Sequence, residues 1–206
     1  MIRLLNAPTS PFGRKVVTAL LELDLPFTET FVDINVPSAL DAKNPLRQVP
    51  TLIDRDGTAI YDSTVIVGYL DSLAPRPTLF DADRHWEQLT AMSLADGLME
   101  AVRMKFLESR RPHGERSEQF ITRLSARIDR SLHAMSDQSS GLATGAKADS
   151  LAIGCALRYT EFRHGYEWRK SMPALADWLD AFGSRLSMQL TEPDRGQPLA
   201  IMPRDE

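Results

Sequence analysis

Three short segments in the first third of the chain combine groups that bind small polar ligands. They are residues 9–12 (TSPF), residues 44–52 (NPLRQVPTL) and residues 62–63 (DS). Hydroxyls, unpaired backbone amides and a carboxylate are suited to a small peptide that carries an amine, carboxylates and a thiol. Whether the segments act together depends on the elements that position them.

The first segment places Ser10 directly before a proline. Proline is tolerated in the first turn of a helix, because the amide at that position has no partner within the helix. The pattern therefore predicts that Ser10 caps a helix starting at Pro11, and capping alone explains an arbitrary Ser-Pro pair. A loop between a strand and a helix is also where ligands of open α/β sheets bind.

The second segment contains Val49-Pro50 just before an apolar strand. Such a proline is either a turn residue or part of a cis peptide bond, which costs little only before proline. A cis bond would leave the amide and carbonyl of Val49 facing outward like an unpaired sheet edge. Edges of that kind bind extended peptides by strand addition.

The third segment, Asp62-Ser63, follows a strand and opens a helix. Exposed amides and the helix dipole bind carboxylates at such a place, while an acidic side chain suits an ammonium group. Taken alone, the pair is better explained as an ordinary cap, and Ser63 is the residue that the pattern predicts as the cap.

Hydropathy patterns predict the elements around these segments. Residues 2–5 form a first strand, and a helical stripe follows at Val16, Ala19, Leu20 and Leu23. Residues 27–33 alternate as a half-buried strand, and residues 51–53 and 59–61 flank a turn-forming DRDG sequence. A closing helix after residue 62 completes the order β-α-β, then β-β-α.

The sequence APRPT at residues 74–78 interrupts regular structure, because two prolines remove donors and restrict the backbone. We place a domain boundary there. Helical stripes dominate the rest of the chain, for example at Ile121, Leu124, Ile128, Leu132 and Met135. Residues 192–198 show no hydropathy period, so we expect an extended tail there.

Composition excludes several classes of function. The 206 residues carry a net charge of −4, and the basic residues are scattered, which disfavours nucleic acid as a partner. No apolar run approaches the roughly 18 residues of a membrane helix, and no signal-peptide pattern is found, so we expect a cytoplasmic protein. The four histidines are too scattered for a metal site, and the single Cys155 lies in an apolar stretch that predicts an inert buried thiol.

With these segments in place, the chain resembles the glutathione transferase family. The resemblance rests on the Thr-Ser-Pro-Phe segment, residues 44–52, the Asp-Ser pair and the helical second half, and it covers almost the whole chain. It is most similar to a bacterial transferase-like branch with Thr-Ser-Pro-Phe near the N-terminus and Ala-Asp-Gly-Leu-Met, here residues 95–99, in the fourth helix. The implied fold is an α/β thioredoxin-like N-terminal domain (1–75) followed by an all-α C-terminal domain (84–206).

The resemblance also implies roles for individual residues. The backbone of Val49, with Pro50 cis, pairs with the cysteinyl unit of glutathione, and Asp62 and Ser63 hold its γ-glutamyl end. Glutathione is then a co-substrate, with no metal or redox cofactor, and the protein is a homodimer.

At the reacting end, the resemblance implies that the hydroxyl of Ser10 donates to the glutathione sulfur, with Thr9 as the alternative donor. Phe12 shapes the side that receives the electrophile. Arg47 and Gln48 contact the tripeptide backbone or its glycyl carboxylate.

Asp96 lies on a mixed face of its predicted helix with Met92, Met99, Arg103 and Phe106. An acidic and a basic side chain among apolar ones are expected in a solvated groove at the domain cleft, or at a subunit contact that brings Asp96 to glutathione. An ordinary solvent-exposed helix edge explains the same pattern equally well. Three aromatic residues further along the chain are expected either to line the same cleft or to pack in the core: Tyr159, Phe162 and Tyr166.

Three functions are compatible with these observations. The first is transfer of glutathione to a small hydrophobic electrophile, with the thiolate stabilised by Ser10. The second is a non-catalytic binding protein that keeps the transferase fold, although intact ligand residues argue against it. The third is a glutathione-dependent peroxidase or disulfide reductase that uses two glutathione molecules.

Overall fold

The computed structural model describes residues 1–75, 78–193 and 195–203. Arg76 and Pro77, in the middle of the predicted domain break, and Asp194, in the predicted tail, lie outside the described residues. Five strands, eight α-helices and three short 3₁₀ helices make up the regular structure of the described part. The strands are β1 (Ile2–Asn6), β2 (Phe27–Phe31), β3 (Thr51–Ile53), β4 (Ala59–Ile60) and β5 (Ala200–Ile201); the helices are α1 (Pro11–Glu22), α2 (Ser63–Leu73), α3 (His85–Ser109), α4 (Glu118–Asp137), α5 (Ala148–His164), α6 (Trp168–Ser171), α7 (Pro173–Gly183) and α8 (Leu186–Leu190).

The sheet has the strand order β4-β3-β1-β2-β5. β1 runs parallel to β2, with α1 as the crossover between them, whereas β3 is antiparallel to β1 and β4 is antiparallel to β3. The predicted order β-α-β followed by β-β-α is confirmed. Gly57, at φ 89°, closes the predicted turn of the β3–β4 hairpin, in a backbone conformation that favours glycine.

The second half is helical as far as Leu190, where the last described helix ends. α3 packs against α4 and α5, and the predicted stripe on α4 is confirmed by burial of Leu124, Ile128 and Leu132. α5 is apolar on most of its surface and lies in the centre of this half, with Leu151 and Cys155 fully buried. None of the helices in the described part of the chain combines the length and hydropathy that crossing a membrane requires.

The predicted all-α domain over residues 84–206 is confirmed in its helical character, but the end of the chain adds a short strand that the sequence did not predict. Ala200–Ile201 form β5, which pairs antiparallel with Phe27 and Thr28 of β2. Two residues are too few to show a strand period in the sequence, so only the partner strand defines them. The predicted extended tail therefore returns to the N-terminal sheet and becomes its edge.

Ion pairs fasten the returning tail to the first domain. Arg195 bonds both carboxylate oxygens of the buried Glu29, and the amide of Leu199 donates to the same carboxylate at 2.8 Å. Asn6 adds a hydrogen bond of 2.7 Å to Glu29. Because Asn6 ends β1, this cluster connects the tail to the loop that carries Ser10.

Candidate functional site

The three ligand-type segments meet at one edge of the sheet. β1 and β3 are antiparallel with Leu5 opposite Thr51, so the end of β1 lies beside the start of β3. β3 and β4 are antiparallel with Leu52 opposite Ile60, so the end of β4 reaches the same edge. The loop after β1, the residues before β3 and the start of α2 are therefore neighbours, as the prediction of a shared site requires.

Ser10 caps α1, as predicted. Its backbone is extended, at φ −74° and ψ 116°, and its hydroxyl oxygen accepts a hydrogen bond of 3.1 Å from the amide of Gly13. This contact uses an oxygen lone pair and leaves the hydroxyl hydrogen available to donate. Ser10 is half-buried at the positive end of the α1 dipole, where an anion is stabilised.

Gly13 is required by the close approach of α1 to β1. A Cβ atom at this position would lie 1.6 Å from the side-chain oxygen of Asn6. The first turn of α1 is thereby pressed against the end of β1. This contact holds the Ser10 loop at the sheet edge.

Thr9 and Ser10 line a narrow cavity of about 10 Å³, roughly the space of one water molecule. Tyr159 of α5 lines the same cavity, as do Arg14 and Arg195. The helical half and the returning tail therefore both contribute to the wall beside Ser10. Tyr159 is 3% exposed, so both predicted alternatives, core packing and cleft lining, apply to it.

The Val49–Pro50 peptide bond is cis, which decides between the two alternatives for this proline. Val49 is half-buried against Leu5, Leu40 and Ile53. Among the described residues, its backbone amide and carbonyl make no hydrogen bond. Both groups therefore remain available to an extended ligand.

Asn44 holds this segment in place. Its side-chain amide donates to the carbonyl of Gln48 at 3.1 Å and to the hydroxyl of Thr51 at 2.9 Å, and its oxygen accepts from the amide of Leu46 at 2.9 Å. Asn44 is 1% exposed. The sequence motif contained Asn44, but we assigned it no role, because an Asn-Pro pair in a loop is a common turn signal.

Asp62, rather than the predicted Ser63, is the cap of α2. One carboxylate oxygen of Asp62 accepts from the amides of Thr64 and Val65, at 3.0 and 3.2 Å, and the side chain is exposed. Ser63 is the first helical residue and is 3% exposed. An exposed carboxylate and the start of a helix thus lie side by side, as binding of an amino acid head group requires.

Asp96 lies next to this helix start but is held by other residues. Its carboxylate accepts from the ammonium of Lys15 at 2.7 and 2.9 Å and from the hydroxyl of Thr64 at 2.8 Å. Lys15 also donates to Thr64 at 3.0 Å, so α1, α2 and α3 meet in one polar cluster. Sequence reasoning missed Lys15 and Thr64, because their partner is 81 and 32 residues away, respectively.

The remaining predicted site residues lie around the same edge. Arg47 has a positive φ of 52°, and its Nε lies 2.8 Å from a carboxylate oxygen of Asp41. Gln48 is exposed, and its carbonyl is held by Asn44 and Thr51. Phe12 is half-buried and packs against the main core. Their contacts with a ligand stay a prediction.

Cys155 takes no part in this site. It is fully buried in α5, and burial raises the pKa of its thiol. A raised pKa means less thiolate at neutral pH, and the thiolate is the reactive form. The predicted burial of this thiol is confirmed, and its inertness stays a prediction that the raised pKa favours.

Comparison with known proteins identifies the family. Residues 4–78 match the model of the glutathione S-transferase N-terminal domain. The uncharacterized GST-like protein YibF of Escherichia coli (strain K12) is 31% identical over 207 residues, which cover 94% of this chain and 100% of that protein.

Solved structures give the same result over both halves of the chain. A glutathione S-transferase from Methylobacillus flagellatus KT with GSH bound is 30% identical, with a TM-score of 0.88, over 94% of this chain and 100% of that one. A glutathione transferase family member from Pseudomonas fluorescens Pf-5 with bound glutathione is 32% identical, with a TM-score of 0.86, over 94% and 99%. The chain therefore belongs to the glutathione S-transferase family.

Proposed function

We propose that this protein binds glutathione at the sheet edge and transfers it to a small hydrophobic electrophile. The observation that carries the proposal is the meeting of three groups at this edge: the half-buried Ser10 hydroxyl, the unpaired backbone of Val49 before a cis proline, and the Asp62-Ser63 helix start. Glutathione bound to two similar family members supports the ligand.

In the proposed complex, the backbone of Val49 pairs with the cysteinyl unit of glutathione. Asp62 receives the γ-glutamyl ammonium, and the amide end of α2 at Ser63 receives the neighbouring carboxylate. Arg47 and Gln48 serve the glycyl end. Glutathione is the co-substrate, and the proposed reaction uses no further cofactor.

The chemistry proceeds through the thiolate. A free thiol has a pKa of about 8.5, so only a small fraction is ionised at neutral pH. The Ser10 hydroxyl, or Thr9 beside it, donates to the sulfur anion at the positive end of α1, and each unit by which the thiol pKa falls corresponds to about 1.4 kcal/mol in favour of the anion. The sulfur then forms a bond to the electrophilic carbon, and the leaving group departs with its electron pair.

We further propose a cytoplasmic homodimer of the bacterial branch that carries Thr-Ser-Pro-Phe. In this dimer Phe12 lies on the electrophile side. Asp96 keeps its role toward glutathione, with its position fixed by Lys15 and Thr64. Cross-linking and ultracentrifugation test the dimer directly, and a monomer at assay concentration would contradict it.

Titration of bound glutathione tests the proposed chemistry. The ultraviolet absorbance of the thiolate, followed against pH, should give a lower thiol pKa in the wild-type complex than in free glutathione. Ser10→Ala should bring the thiol pKa back toward the free value and lower the turnover of a model electrophile together with it, whereas Thr9→Ala should do neither. The opposite result for the two variants would assign the donor to Thr9.

Assays on the wild-type protein separate the alternative functions. Binding of glutathione without turnover over a broad panel of electrophiles would favour the non-catalytic binding protein. Turnover of peroxides or mixed disulfides, with oxidised glutathione as product, would favour the peroxidase or reductase.

A further inference from the structure

Arg163, near the end of α5, lies between two aromatic rings. Its guanidinium carbon is 4.1 Å from the ring centroid of Phe106 in α3 and 4.3 Å from that of Phe162. The ring of Tyr159 is 5.5 Å away. Distances below about 6 Å place all three rings in cation–π contact with Arg163.

No acidic side chain neutralises Arg163 among the described residues, and its Nε is buried without a hydrogen-bond partner. Two arginines nearby in sequence differ in this respect, because Arg158 and Arg169 both pair with Glu161, at 3.0 and 2.5 Å. Within the described part of the chain, Arg163 is thus a cation that contacts aromatic rings and pairs with no carboxylate.

The charges around Arg163 are also positive. Burial, and then the charge of Lys105, hold the pKa of the adjacent His164 below its ordinary value. The charge of Arg163 acts in the same direction, whereas a backbone hydrogen bond with Val102 raises the pKa of His164. An anion that enters this region gains attraction without displacing an acidic side chain.

Tyr159 connects this cluster to the Ser10 end of the site. Tyr159 lines the cavity beside Ser10, and Arg163 follows Tyr159 by one helical turn, a rise of about 6 Å. Phe162 is 38% exposed, so the cluster is open to solvent.

We propose that Arg163 binds an acidic substituent of the second substrate, so that the electrophile is an apolar molecule that carries a carboxylate. The inference rests on the proposed function, because it names the substrate class of the same site. Aromatic rings against the faces of a guanidinium leave the N–H groups at its edge, which match a carboxylate in geometry. Phe106, Phe162 and Tyr159 supply the apolar wall for the body of the substrate.

A matched pair of electrophiles tests the proposal: 4-chloro-3-nitrobenzoate and its methyl ester. With either compound the glutathione thiolate attacks the carbon that bears chlorine, the C–S bond forms, and chloride leaves with the bonding pair. The thiol proton passes to solvent. Each rate is divided by the rate without protein, because the ester is the more reactive compound.

Three variants complete the experiment. Arg163→Gln should lower kcat/KM for the acid by about ten- to a hundredfold, as expected for a lost charge-assisted hydrogen bond, and change that for the ester by less than about twofold. Arg163→Lys should keep most of the preference for the acid. Arg123→Gln is the matched control, because Arg123 also lies over one ring, 5.5 Å from that of Phe120, but on α4 and without an ion pair in the described chain.

Equal losses for the acid and the ester in Arg163→Gln would overturn the proposal and indicate a structural role, as would a wild-type protein that does not favour the acid. Binding of the two glutathione conjugates, measured by calorimetry, separates this inference from the proposed transfer. If neither this pair nor the broad panel of electrophiles is turned over, the transfer proposal fails, but tighter binding of the acid conjugate that Arg163→Gln abolishes still supports the site. Equal binding of the two conjugates overturns it.

Discussion

The ammonium of Lys15 lies 2.7 Å from one carboxylate oxygen of Asp96 and 2.9 Å from the other. The Lys15 side chain is fully buried, whereas that of Asp96 is 24% exposed. A charge that is removed from water needs a partner with good geometry, and the Thr64 hydroxyl completes the cluster. The pair joins α1 of the sheet domain to α3 of the helical domain.

Asp96→Asn should destabilise the protein, because the buried Lys15 ammonium would lose its countercharge. We expect a loss of about 3 kcal/mol, at the low end of the range for broken buried pairs because Asp96 retains some contact with water. Urea unfolding measures the change. Glu167→Gln is the control, since Glu167 lies 2.7 Å from Lys170 in an exposed pair whose loss should cost no more than about 1 kcal/mol. Equal losses in both variants would contradict the role of burial.

Ser10→Ala and Ser117→Ala should destabilise the protein by similar amounts. Both serines cap helices, and their hydroxyls accept hydrogen bonds of 3.1 and 3.2 Å from Gly13 and Phe120. Each loss should be about 1 kcal/mol, measured by urea unfolding. Only Ser10→Ala should also raise the pKa of the thiol group of bound glutathione. A raised thiol pKa in Ser117→Ala would mean that the effect passes through the fold and not through contact with sulfur.

Asn44→Ala should weaken glutathione binding without a direct contact to the ligand. The substitution removes three hydrogen bonds that hold the segment before Val49, and it leaves the amide of Leu46 without its acceptor. We expect the poorer positioning of that segment to cost about 1.4 kcal/mol of binding free energy, which corresponds to a tenfold loss of affinity. Calorimetry measures this loss. Asn35→Ala removes an exposed hydrogen bond to Asp33 and should leave affinity unchanged. Unchanged affinity in Asn44→Ala would show that the segment keeps its shape without this side chain.

Glu22→Gln should lower stability at neutral pH but not in acid. Burial alone would raise the pKa of Glu22, but hydrogen bonds from Arg185 and Ser187 and the charge of Arg185 outweigh it, so the pKa lies below the ordinary value of 4.5. A depressed pKa in the folded state contributes stability that is fully present above the ordinary value and is lost as pH falls through the depressed one.

Urea unfolding of wild type and Glu22→Gln over a range of pH tests this linkage. The difference in unfolding free energy between the two proteins should be constant from about pH 7 to about pH 5 and should shrink below about pH 4. Arg185→Gln should flatten the same pH dependence, because Arg185 donates to Glu22 at 2.7 and 2.8 Å. A difference that grows as the solution becomes more acidic would rule out a lowered pKa.

The N-terminal half was predictable because its signals are local. A short apolar segment predicts β1, and alternating residues predict β2. The turn residues before Thr58 predict the hairpin, and Ser10 before a proline marks the start of α1. Strand order then brings the ends of β1 and β4 and the start of β3 to one edge. The sequence left two candidates for the cap of α2, Asp62 and Ser63, because Asp and Ser cap helices about equally well.

The amino-acid sequence by itself determined the order of elements, the helical second half and the three ligand-type segments, since periodicity and turn chemistry act over a few residues. Only the tertiary structure decided which distant groups meet. The pairs Lys15 with Asp96, Arg195 with Glu29, and Arg163 with Phe106 each join distant parts of the chain. The strand β5 pairs only with β2 among the described strands. A buried charge or an isolated two-residue strand acquires its stability from a partner whose position no local pattern encodes.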